Sequence, residues 1–121
     1  MATLTITKEP KGAVVILHLS GDLTLGPGVS ALSKAAREVI VTDPPAGLVI
    51  DLTGVDRIDS AGMGELVIMN TRAGSRAGMA ICSVQSRVRE LLRITHLDGV
   101  LSLYRDEAAA IAGLVEGRKG K

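Results

Sequence analysis

Ser60 stands in the stretch VDRIDSAGMGE (residues 55–65), directly after Asp59 and two residues before Gly62, with Gly64 following. A hydroxyl in that setting has three chemical uses: attack on a substrate, capping of a helix, or acceptance of a phosphate. Attack needs an activating base and a sharp strand-to-helix turn, normally written G-x-S-x-G. Here Ile58 occupies the first glycine position, and the two histidines, His18 and His96, bear no sequence relation to Ser60. A second pattern, GPGVSA (Gly26 to Ala31), matches G-x-G-x-x-A and has Asp51 roughly 20 residues beyond it, as a dinucleotide site would. SGDLTL interrupts the tight strand-to-helix turn that such a site requires, and the chain is too short for two mononucleotide-binding halves. No G-x-x-x-x-G-K-[ST] phosphate loop occurs. The glycines of GPGVSA therefore read as loop and helix-start residues.

Metal and redox chemistry are equally poorly served. Cys82 is the one cysteine, which excludes an internal disulfide and a multi-cysteine zinc site. It lies in the apolar run Met79 to Cys82 and reads as a buried structural thiol. His96 and Asp98 flank a turn without a third ligand nearby in sequence. Arg87, Arg89 and Arg93 accompany Glu90 on one helix, the pattern of a solvated polar face. The expectation is a chain with no catalytic residue, no metal and no cofactor.

Composition narrows the partners. The chain has a net charge of +1, no Trp, no Phe and only Tyr104 as an aromatic. Neither base stacking nor electrostatic attraction to nucleic acid is supported. The beginning, MATLTITKEP, lacks a basic segment followed by an apolar one, so no signal peptide is expected. No apolar run approaches the ~18–20 residues that span a bilayer. A cytoplasmic protein without membrane insertion is the expected result.

The elements that must position Ser60 follow from periodicity. Thr3 to Thr7 alternates as a short strand, KEPKG reads as a turn, and Ala13 to Leu19 as its hairpin partner. Val29, Leu32, Ala36 and Ile40 recur at helical spacing, with Pro27 suited to the first turn and Pro44-Pro45 closing the region. Leu48 to Leu52 has the pattern of a strand buried on both faces. A helix is expected from Ser60 to Ala77, with Met63, Leu66, Val67 and Asn70 on one face and Gly78 as its stop. Met79 to Val84 reads as a strand, Val88 to Thr95 as a helix ended by HLDG, Val100 to Tyr104 as a strand, and Glu107 to Val115 as a helix. Alternating strands and helices imply right-handed crossovers and a mainly parallel sheet with an antiparallel edge strand. At 121 residues this is one α/β domain, residues 1–117, followed by a tail at 118–121.

Two features at Ser60 point toward an anion. Asp59 or Ser60 can cap the helix, and the free donors and partial positive charge of a helix start favour negative charge. Capping alone does not explain Gly62 and Gly64, each costing up to ~1 kcal/mol in a helix relative to alanine. Their missing side chains would let another protein's backbone or a nucleotide approach closely.

GLVIDLTGVDRIDSAGMGEL (residues 47–66) resembles the signature of the STAS domain of bacterial anti-sigma factor antagonists. The likeness extends to LSGDLT near Leu19, to the GM before Met79's strand, and to the ending LDGVLSLYRDEAAAI. It implies a four- to five-stranded mostly parallel sheet with about four helices, mostly on one side. It also implies that Ser60 is the phosphorylation site, with Asp59 the acid before it. Asp59, Ala61, Gly62, Met63 and Gly64 would face the partner, and so would the loop bearing Asp22 and Thr24. Thr24 stands where many members carry a further acid.

The resemblance implies a partner-switching cycle. The unmodified protein would bind an anti-sigma factor that is also a serine kinase of the histidine-kinase-like ATPase type. Phosphorylation would release it, a PP2C-type phosphatase would reset it, and a weak homodimer is admitted. The alternative is a STAS interaction module that is never phosphorylated, in a lipid transporter or a sensory scaffold.

Overall fold

The computed structural model describes residues 3–42, 47–74 and 78–119. Alternation at Leu4 to Thr7 opens the first strand, β1 (Leu4–Lys11), which pairs antiparallel with β2 (Val14–Leu23) from Leu4 opposite Gly21 to Lys11 opposite Val14. The expected KEPKG turn is shorter than its composition suggested. Lys8 to Lys11 remain in the ladder, and the chain reverses at Gly12, whose φ of +64° favours glycine. Pro10 is tolerated opposite Val15 because β1 is an edge strand.

From β2 onward the neighbours are parallel: β3 (Gly47–Ile58), β4 (Met79–Cys82) and β5 (Leu103–Tyr104) complete a five-stranded sheet in the order β1-β2-β3-β4-β5. The expected strands at 13–19 and 48–52 were too short. SGD and TGVDRI, which read as polar, continue them, with Gly54 opposite Ser20 and Ile58 opposite Leu23. Irregularities between His18 and Ser20 and between Gly21 and Asp22 absorb the break in alternation. β5 is shorter than its expected span, because Leu97–Gly99 forms a 3-10 turn and Val100 is 53% exposed. Ser83, at φ +60°, ends β4 before Val84.

The helices are α1 (Pro27–Arg37), α2 (Ser60–Gly74), α3 (Ser86–Ile94) and α4 (Glu107–Lys119). Pro27 occupies the first turn of α1 as expected, and a π-helical turn, Glu38–Thr42, follows it. Pro44 and Pro45 lie outside the described residues. After α2, Gly78 at φ +83° donates its N–H to the Ala73 carbonyl at 2.8 Å, the closure expected of a helix stop. α4 reaches Lys119, two residues into the segment set apart as a tail; residues 120–121 lie outside the described ones.

Period-2 alternation along β2 and β3 sends side chains to two cores. Leu17, Leu19, Leu23, Leu48, Ile50 and Leu52 lie under α1, α2 and α3. Val14, Ile16, Val49, Ala80 and Cys82 lie under α4 with Ala110, Ile111 and Leu114. Full burial of each Leu, Ile or Val contributes about 1.5–3 kcal/mol, so an aliphatic core suffices without Phe or Trp. Burial pushes the Cys82 thiol up to about 11, as expected for an inert structural cysteine.

On α2 the buried face differs from the expected stripe. Met63 and Leu66 are buried as anticipated, but Glu65, Met69 and Ala73 join them, while Val67 and Asn70 are half-buried. The helix packs on α1 as well as on the sheet, so its interior arc is rotated toward the Glu65 side.

Candidate functional site

The carboxyl ends of β2 and β3 lie side by side, and the segments leaving them form one edge of the molecule. Such an edge is where open α/β sheets place their sites. β3 ends at Ile58, Asp59 is the last residue before α2, and Ser60 is its first. The cap is made by Asp59 and not by Ser60. Its Oδ1 accepts the Gly62 N–H at 2.9 Å, while its carbonyl accepts the Met63 N–H at 2.9 Å. Its other oxygen, Oδ2, accepts the Leu25 N–H at 2.9 Å, from the segment between β2 and α1. One carboxylate thus holds the start of α2 and the neighbouring loop together. The Leu25 and Gly62 N–H groups keep its pKa below the usual carboxylate value.

Ser60 is exposed, as the fold reading requires, and neither histidine hydrogen-bonds to it among the described residues. Its hydroxyl sits at the donor-rich end of a 15-residue helix whose cap another residue supplies. An anion added there meets a favourable field.

The expected partner-facing residues divide in two. Ala61, Gly64, Asp22 and Thr24 are half-buried, whereas Gly62 and Met63 face the interior. The two glycines have different reasons. A Cβ on Gly62 would overlap the Leu23 carbonyl oxygen and crowd the Leu23 and Ile58 side chains; a Cβ on Gly64 would meet nothing within 4 Å. Gly62 is required by the contact of α2 with the end of β2. Only Gly64 leaves open surface. Thr24 anchors α1, its carbonyl accepting the Val29 N–H at 3.1 Å.

Sequence reasoning missed Leu25 and Gln85. Leu25 is 77% exposed and carries the backbone donor to Asp59. Its one sequence signal was a large apolar residue in an otherwise polar, glycine- and proline-rich loop. Gln85 Nε2 donates to the Thr53 carbonyl at 2.7 Å and approaches Asp56 Oδ1 at 3.4 Å, tying the start of α3 to β3. A depression of about 220 Å³ between Asp56–Ile58 and Arg87, Val88 and Leu91 continues this edge.

The other charged cluster lies on the α4 side of the sheet. His18 hydrogen-bonds through Nδ1 to Asp51 at 2.8 Å and through Nε2 to Glu9 at 2.7 Å. The Glu9 hydrogen bond, with Asp51 adding to it, raises the His18 pKa against the opposing effect of burial. Glu9, His18 and Glu107 offer ligand atoms within 4.8 Å of one another. Each is already engaged, since Glu107 pairs with Lys11 at 2.8 Å. Asp51, placed as a dinucleotide acid by the GPGVSA pattern, is committed to His18 and Thr53 instead. On α3, Glu90 pairs with Arg93 in an exposed ion pair, and no helix among the described residues is long and apolar enough to cross a membrane.

The family model of the STAS domain matches residues 5–110, so the chain belongs to that family. It is 28% identical over 116 residues to the anti-sigma-F factor antagonist RsfB of Mycobacterium tuberculosis, covering 96% of this chain and 93% of RsfB. The crystal structure of an anti-sigma factor antagonist from Mycobacterium paratuberculosis superimposes with a TM-score of 0.83 at 26% identity, covering 92% of this chain and 93% of that one. The Bacillus cell fate determinant SpoIIAA in its phosphorylated form shares the fold, with a TM-score of 0.66 at 14% identity over 87% of this chain and 96% of that one.

Proposed function

We propose that this STAS-family chain is an anti-sigma factor antagonist that binds its anti-sigma factor while Ser60 is unmodified and lets go when Ser60 is phosphorylated. The carrying observation is the exposed Ser60 at the first position of α2, beside a cap and a loop that Asp59 locks together. The anti-sigma factor antagonists to which the chain is similar over more than nine-tenths of its length support the partner class. A protein of the same fold solved in a phosphorylated form supports the chemistry. The partner is an anti-sigma factor with serine-kinase activity of the histidine-kinase-like ATPase type, and a PP2C-type phosphatase resets the cycle in the cytoplasm. This role asks no catalysis of the chain itself.

Phosphoserine adds about −1.5 to −2 charges at pH 7. Within the monomer, repulsion from Asp59 and Asp56 opposes attraction to the helix start, so fold and melting temperature change little. Against a docked partner, water no longer screens the charge. An interface penalty of about 3–4 kcal/mol lowers affinity by two to three decades. Gly64, one turn along α2 from Ser60, and exposed Leu25, bonded to the Asp59 that precedes Ser60, supply close approach and an apolar anchor.

Calorimetry with the cognate anti-sigma factor, with thermal melts alongside, tests the reading. Ser60→Asp should weaken binding strongly at an unchanged melting temperature, and Ser60→Ala should bind like wild type yet resist release by ATP. Equal affinity of wild type and Ser60→Asp would instead favour a STAS interaction module that is never phosphorylated.

A further inference from the structure

His18 stands between two carboxylates. Asp51 Oδ2 lies 2.8 Å from its Nδ1, and Glu9 Oε1 lies 2.7 Å from its Nε2. A carboxylate only accepts, so Asp51 fixes a proton on Nδ1 and leaves the Nε2 lone pair aimed at Glu9. Two acceptors that close need a cation between them. In the bare chain a second proton on the imidazole fills that place. The third member of the cluster is Glu107, at the start of α4: Glu9, His18 and Glu107 each present a ligand atom, all within 4.8 Å of one another. They come from β1, β2 and α4, so no spacing pattern in the sequence reveals them. Beside Glu107 an open depression of about 670 Å³, lined by Lys11, Asp106, Ile111 and Ala112, leaves room for water at further coordination positions.

We propose that Glu9, His18 and Glu107 form a binding site for a divalent transition-metal ion of the Zn²⁺ type. An imidazole with two carboxylates suits such an ion, whereas Mg²⁺ and Ca²⁺ take oxygen ligands. The ion replaces the Nε2 proton, which passes to water, and a water molecule joins the three side chains as fourth ligand. Bond lengths near 2.0–2.2 Å in a tetrahedron set Nε2 and a Glu9 oxygen roughly 3.3 Å apart, about 0.6 Å further than in the hydrogen bond. The Glu9 side chain is 48% exposed and has room to make that shift. Asp51, itself held by Thr53, keeps the imidazole oriented, as carboxylates do behind metal-bound histidines. Lys11 is the competitor, because its ammonium group holds Glu107 at 2.8 Å in an exposed pair of the kind that contributes little. The site lies on the α4 side of the sheet and does not depend on Ser60. When filled, it pins the start of α4 to the β1–β2 hairpin.

Zn²⁺ is the probe, titrated into the untagged full chain by calorimetry and by amide chemical-shift mapping. The expected result is one ion bound per chain, with shifts at Glu9, His18 and Glu107. The melting temperature should rise with Zn²⁺ and stay unchanged with Mg²⁺ at the same concentration. His18→Gln should abolish binding, and Asp51→Asn, which keeps all three ligands, should weaken it by about 10–100-fold. Lys11→Met should tighten binding, because it removes both a competitor for Glu107 and a like charge. That gain cannot come from a failure to fold, and metal adsorbed elsewhere would not show it. His96→Gln, at the other histidine, should change nothing. The proposal is overturned by no saturable Zn²⁺ binding, by binding that survives His18→Gln, by binding lost in His96→Gln, or by Lys11→Met that leaves affinity unchanged.

Discussion

Asp59 and Asp51 lie at the two ends of a contrast between the edge of the sheet and its α4 face. Both carboxyls titrate below their usual value, for different reasons. Asp59 is held down by N–H groups of the backbone, Leu25 from one segment and Gly62 from another. At Asp51 burial pushes upward and is outweighed by the Thr53 hydroxyl and N–H together with His18. Backbone donors are present whatever side chains surround them, so Asp59 depends on where two segments sit. Asp51 accepts one backbone N–H, from Thr53 two residues away, and otherwise depends on the Thr53 and His18 side chains. The edge is therefore a platform of fixed backbone on which Ser60 is exposed, whereas the α4 face relies mainly on side-chain pairs.

Close backbone packing at the edge should be the costliest to disturb. Gly62→Ala should lower stability in urea by about 2–3 kcal/mol, because its Cβ meets the Leu23 carbonyl, which cannot swing aside. Gly64→Ala, two residues on and in open space, should raise stability by about 0.5–1 kcal/mol by helix propensity. If both behave alike, the division of the two glycines is wrong.

Asp59→Ala removes a cap and orphans the Leu25 N–H, with an expected loss of about 1–2 kcal/mol. Because the folded pKa is depressed, the contribution is present above the unfolded value of 3.8 and disappears as pH falls through the lower folded value. Melts of wild type and Asp59→Ala should converge under strong acid. A constant gap would mean that the carboxylate charge is irrelevant.

The smallest effect belongs to His18, whose pairs are partly solvated; His18→Gln should cost under about 1 kcal/mol. Its folded pKa is raised, so stabilisation is complete below the unfolded value of 6.5 and is lost as pH rises through the folded pKa. The gap between wild type and His18→Gln should shrink between pH 5 and pH 9 in thermal melts. A gap that widens with pH would contradict an imidazolium held between Glu9 and Asp51.

The order of strands and helices was readable because each element's period reports the faces it buries. The β1 edge strand, the apolar run at Leu48–Leu52 and the helix start at Ser60 all followed from local pattern. The ends of the elements were not. SGD and TGVDRI look like loops, yet the ends of β2 and β3 satisfy each other's backbone groups by pairing. The placement of Ser60 was legible, since an Asp-Ser pair after an apolar strand is a helix start, but the choice of Asp59 as the cap was not.

By itself the sequence determined an aliphatic two-faced α/β core, an exposed serine at the start of α2 and the absence of a base beside it in the chain. Those depend on residue type and on spacings of a few residues. Only the tertiary structure decided that Asp59 reaches Leu25 across 34 positions, that His18 lies between Glu9 and Asp51, and that Glu65 turns inward against α1. Each is a contact between segments distant in the chain, and which donor meets which acceptor depends on strand register and helix rotation, quantities that local periodicity does not carry.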